Sequence, residues 1–115
     1  MKKDTPSLIQ IDLLYFDGCP SWQTALKNLH AVIAAENIPA AINLIIIESP
    51  QQAQQERFLG SPSFRVNGVD LWHEERDNYS LSCRVYQTPS GIKGSPTVEM
   101  LRRRLREMID SDLQS

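Results

Sequence analysis

From Leu8 to Phe16 almost every position is apolar, with Ile9, Ile11, Leu13 and Tyr15 on one face and Leu8, Leu14 and Phe16 sharing the other with Gln10 and Asp12. This pattern predicts a strand, β1, largely buried on both sides. After it, Trp22, Leu26, Leu29 and Ile33 recur at helical spacing, and Ala25 and Val32 widen the stripe, which predicts a helix, α1, from Pro20 to about Glu36. Asn37 is suited to close that helix in the left-handed conformation, and Pro39 prevents its continuation. The β-branched run in 41–47 predicts a second buried strand, β2, parallel to the first.

Ser49-Pro50-Gln51-Gln52 then carries a capping box with proline at the first helical position, so a short helix α2 starts at Pro50 and ends before Gly60. The stretch 61–71 reads as two strands, β3 and β4, around Asn67-Gly68, the favoured pair of a two-residue hairpin. Between Trp72 and Lys93 the periodicity fades; 81–86 suits an extended segment and 88–91 a turn. Ser95-Pro96 opens a last helix, α3, with Val98, Leu101, Leu105 and Met108 as its apolar stripe and a frayed end over 111–115. The order βαβαββα predicts an α/β fold: a mixed sheet of about four strands with helices on both faces.

Length changes this picture only by excluding a second domain. At 115 residues, 41% hydrophobic and 23% charged, the chain is expected to be one domain over 1–115, with its core between about residues 8 and 109. A formal net charge of −2 gives no general attraction to nucleic acid or to an anionic membrane, so neither is expected as a partner. Met1-Lys2-Lys3 begins like a signal peptide, but the apolar run behind it is broken by Gln10 and Asp12, so a cytoplasmic location is expected. Arg102, Arg103, Arg104 and Arg106 read as a solvated helix face. His30 and His73 have no ligand spacing, and no cofactor or metal site is assigned.

The candidate chemistry lies in Phe16-Asp17-Gly18-Cys19-Pro20-Ser21-Trp22, where a strand runs into a helix. A cysteine at a helix N-terminus gains from free backbone N–H groups and the helix dipole, which bring such thiols down to a pKa of roughly 3.5–7.5. Cys19 is therefore expected to be an exposed, activated thiol. The competing reading is that it is a small buried hydrophobe.

The chain resembles the thioredoxin-like superfamily from about Ile9 to Met108, and three stretches carry the resemblance. The first is 16–22, similar to the active-site turn of small bacterial thioredoxin-like proteins, with Cys19 in the place of the attacking cysteine. The second is 60–68, similar to the segment in which the superfamily places a cis-proline facing that cysteine, here Pro62 after Ser61. The third, Leu81-Ser82-Cys83-Arg84-Val85-Tyr86, resembles a bacterial group labelled thioredoxin-family or alkylmercury-lyase-like. Trp22 stands where a second cysteine of Cys-x-x-Cys would be, which excludes exchange between adjacent cysteines.

The resemblance implies a sheet ordered β2-β1-β3-β4 and brings Cys83 to the same edge as Cys19. It implies a thiol-disulfide redox protein acting through Cys19, as a monothiol or with Cys83 as a distant resolving cysteine. Ser61 and Pro62 would offer backbone to the substrate. Trp22, on the first turn of an amphipathic helix, is expected to pack on the core or shield the thiol, with stacking on a substrate as the alternative. The partner would be a disulfide-bearing protein or a low-molecular-weight thiol such as glutathione. Two other readings stand beside this one: a non-catalytic module that binds another protein or a second copy of itself as a homodimer, and a soft-metal protein holding Hg(II) or Cu(I) between the two thiolates.

Overall fold

The computed structural model describes residues 8–114; the basic start of the chain lies outside them. β1 (Ile9–Tyr15) pairs in parallel with β2 (Ala40–Ile46), Ile11 opposite Ile42, and on its other side antiparallel with β3 (Ser63–Val66), Leu13 opposite Phe64. β4 (Val69–Asp70) closes the hairpin on β3, and the sheet order is β2-β1-β3-β4. The hairpin turns where expected because Asn67 (φ 54°) and Gly68 (φ 83°) both take the positive φ of a type I′ turn.

Three helices cover the sheet. α1 (Trp22–Glu36) and α3 (Val98–Gln114) lie on one face, where Ala25, Leu29 and Val32 meet Leu101 and Leu105 over Ile11, Leu13, Phe64 and Val66. α2 (Pro50–Glu56) lies on the other, with Ala53 and Phe58 packed on Leu14 and Ile47. One arm of its capping box forms, with Gln52 N donating to Ser49 Oγ at 3.1 Å, while Gln52 Oε1 accepts from Glu48 N, one residue ahead of the cap. Seven residues of helix cover only one end of this face. Gln10 and Asp12 stay at the uncovered end, bonded to Asn43, so β1 is buried on both sides only around Leu13 and Leu14 and not along its whole length. Among the described residues no helix is long and apolar enough to cross a membrane.

Several expectations need adjustment. α1 begins at Trp22 behind Ser21, so Pro20 precedes the cap instead of occupying the first helical turn. α3 begins at Val98 because Thr97 provides the cap, its Oγ1 accepting from Met100 N at 3.1 Å, and Val98 is 40% exposed, outside the apolar stripe. The helix continues to Gln114, past the point where fraying was expected. The open stretch 72–93 holds a second, two-stranded sheet, β5 (Tyr86–Thr88) with β6 (Gly91–Lys93), turning at Pro89-Ser90.

Candidate functional site

β1 ends and β3 begins at the same edge of the sheet, as Leu14 pairs with Ser63. The turn that follows β1 carries Cys19, and the Ser61-Pro62 peptide, which is cis, enters β3 beside it. The Cys19 thiol donates a hydrogen bond to the Ser61 carbonyl at 3.4 Å. Cys19 is only 2% exposed, which corrects the expectation of an open thiol. It also sits two residues ahead of the α1 cap, in a turn closed by Cys19 N donating to Phe16 O.

A later segment docks on the same peptide that Cys19 bonds. Ser61 N donates to Ser82 O at 2.8 Å and Arg84 N donates to Ser61 O at 2.9 Å, so Ser61 and Cys83 form a parallel bridge. Both main-chain groups that the resemblance offers to a substrate are thus engaged by the chain's own Cys83 segment. The expectation that Ser61 and Pro62 form an open platform is corrected accordingly; both residues are buried.

Cys83 itself is exposed, and neither cysteine is in a disulfide. Its pKa is raised above the ordinary cysteine value, first by desolvation of its inner side, then by the Cys19 sulfur, which opposes a second negative charge and hydrogen-bonds to the thiol. Ser61 joins the two cysteines, bonding the Cys19 thiol through its carbonyl and bridging Cys83 through its backbone, so a covered and an exposed thiol flank one peptide. Residues paired in a ladder point to the same side, which puts the Ser61 hydroxyl on the side of Cys83. That hydroxyl is fully buried and makes no hydrogen bond.

A polar brace fixes the Cys83 segment. Arg84 Nη1 donates to both Asp70 carboxylate oxygens at 3.1 and 3.0 Å and to Ser63 Oγ at 3.1 Å, while Nη2 donates to Trp72 O. The pair is deeply buried, with side chains 5% and 6% exposed. Burial works against the guanidinium charge, but Tyr86 and Asp70 outweigh it and hold the Arg84 pKa above its usual value. The Arg84 guanidinium lies over the Tyr86 ring, 5.3 Å from its centroid, and Tyr86 Oη donates to Pro62 O at 2.5 Å. Burial pushes the Tyr86 hydroxyl well above its ordinary value, so it stays a neutral donor.

Gly60 completes the fit. Its φ is +113°, and a Cβ there would stand 2.9 Å from Arg84 Cβ, so neither the backbone conformation nor the space admits a side chain.

The structure thus brings Cys19, Ser61, Pro62 and Cys83 together. Trp22 is close in the chain but engaged in packing: its half-buried ring stacks on Tyr15 with centroids 4.2 Å apart and also packs against the main core. Arg65 turns toward α2 and pairs with Glu56 at 3.1 Å. The arginine run is a solvated face, with Arg102 bonded to Glu99 and Arg106 joining α3 to Glu36 on α1. No group of three or more His, Cys, Asp or Glu suited to a metal occurs among the described residues. Asp70, Arg84 and Tyr86 were not identified from sequence. The alternation of the sequence pointed the other way, since the apolar Leu81, Cys83 and Val85 share the exposed side while Arg84, Tyr86 and Thr88 are buried.

Comparison of the chain with protein-family models, curated proteins and solved structures finds no match.

Proposed function

We propose that the chain is a thioredoxin-like thiol-disulfide redox protein whose working pair is Cys19 and Cys83. The observation that carries this reading is the apposition of two free thiols above the Ser61-Pro62 peptide, one exposed and one buried. The sheet order β2-β1-β3-β4, the placing of α1 and α3 opposite α2, and the position of Cys19 between β1 and α1 support the thioredoxin-like assignment.

In this proposal the exposed sulfur acts first. Cys83, as thiolate, attacks a disulfide R–S–S–R′, forming a Cys83–S–S–R bond and expelling R′–S⁻, which takes up a proton. Cys19, deprotonated, then attacks the Cys83 sulfur, forming the Cys19–Cys83 bond and expelling R–S⁻. Two electrons pass from the dithiol to the substrate disulfide, and the reverse sequence oxidises a substrate dithiol. This order reverses the roles implied by the resemblance, in which Cys19 attacks first.

The test is to trap each half-reaction with oxidised glutathione. Cys19→Ser should accumulate a glutathione adduct on Cys83, and Cys83→Ser should leave the covered Cys19 largely unmodified while the protein is folded. Equal trapping of both variants would overturn the assigned order. Failure of the wild type to lose its free thiols would overturn the redox reading.

A further inference from the structure

Resting on that redox reading, we infer that the outer edge of the Cys83 segment is the substrate-docking edge, and that it takes an extended, uncharged polypeptide strand carrying a half-cystine between apolar residues. The backbone gives the first reason. Ser82 C=O and Arg84 N–H point inward to Ser61. By the alternation of a ladder, Cys83 N–H and C=O point outward. Among the described residues no partner bonds them. An unpaired edge of this kind accepts an added strand through main-chain hydrogen bonds, with alternate side chains setting specificity.

The second reason is the side chains on that edge. Leu81 and Val85, two positions either side of Cys83, are 37% and 64% exposed and lie on its side of the extended segment. An incoming strand paired here would set its own alternate residues against them and its sulfur beside Cys83. The third reason is charge. From Asn78 to Ile92 the one charged residue is Arg84, turned inward onto Asp70. The cavity of about 610 Å³ beyond Val85 opposes Arg103 and Arg104 with Glu74 and Glu107. Glutathione, with two carboxylates, thus finds no unbalanced cationic site beside Cys83. An apolar peptide meets a neutral, apolar rim.

The experiment compares rates of Cys19–Cys83 formation in the full chain driven by three oxidants. These are oxidised glutathione, an eight-residue peptide disulfide with valine or leucine two positions either side of the half-cystine, and that peptide N-methylated at the half-cystine amide. The expectation is that the apolar peptide reacts about tenfold or more faster than oxidised glutathione and that N-methylation removes the advantage, as for strand addition. Val85→Ser, at an exposed position that leaves the core intact and adds no charge, should slow the apolar peptide by about tenfold and the glutathione reaction by much less, since the latter uses no apolar rim.

If oxidised glutathione closes the Cys19–Cys83 bond and the apolar peptide is no faster, the docking edge is wrong and the redox reading survives. An equal effect of Val85→Ser on both oxidants would overturn it in the same way. If no oxidant closes the bond, the redox reading falls and this inference with it.

Discussion

The two cysteines meet, yet the regions that hold them are built on different principles. Cys19 belongs to the layered body, where the sheet is sandwiched by α1 and α3 on one face and α2 on the other, and where many apolar side chains each carry a share of the packing. Cys83 belongs to a strap held largely by polar contacts, namely the backbone bridge to Ser61, the buried Arg84–Asp70 pair and the Tyr86 hydroxyl on Pro62, with the Tyr86 ring as its apolar anchor in the core. In the body, losing one contact is graded because neighbours remain. In the strap, a single carboxylate neutralises a buried guanidinium, so its loss falls on one group with no second carboxylate beside it. A redox pair placed across that boundary has one sulfur set in apolar packing and the other on a segment fixed mainly by polar contacts.

The largest expected effect follows from the strap. Asp70→Ala leaves the Arg84 charge buried and unpaired, which should cost about 3–5 kcal/mol. Urea unfolding measures the loss, and alkylation of Cys19 should rise in the folded protein as the Cys83 segment lifts. Leu105→Ala in the body should cost about 2–5 kcal/mol by leaving a cavity, with no increase in Cys19 alkylation below the unfolding transition. If both substitutions exposed Cys19 alike, the distinction between strap and body would fail.

Gly60→Ala is expected to cost about 1–3 kcal/mol, because a Cβ at φ +113° is strained and presses on Arg84. The change should also expose Cys19, since the Arg84 backbone must shift. The smallest effect concerns pH. Cys19→Ala removes the neighbouring charge and hydrogen bond that help to raise the Cys83 pKa, although desolvation, the largest cause, remains. The pH profile of Cys83 alkylation should therefore move downward in the variant, giving more thiolate at a given pH. An unchanged or upward-shifted profile would show that the two sulfurs do not interact.

The body was legible because its forces are local and periodic. The alternation of β1, the helical stripes, the Ser49 capping box and the Asn67-Gly68 turn each announce an element within a few residues, and the order β2-β1-β3-β4 was expected from the resemblance. The edge shared by Cys19, Pro62 and Cys83 was expected on the same ground. What escaped was whatever depended on distant partners. Arg84 is charged and reads as surface, and only Asp70, brought beside it by the hairpin, makes its burial affordable. The burial of Cys19 escaped for the same reason: the Ser82 and Arg84 backbone groups that dock on Ser61 belong to a stretch with weak periodicity.

The most direct test of the central claim, that Cys19 and Cys83 form one redox pair, is the covalent state of the wild-type chain after equilibration with oxidised glutathione. The account predicts an intact mass lower by two hydrogens, no retained glutathione, and a single linked peptide pair joining Cys19 to Cys83 on digestion without reduction. A stable glutathione adduct on Cys83 with Cys19 still a free thiol would contradict it.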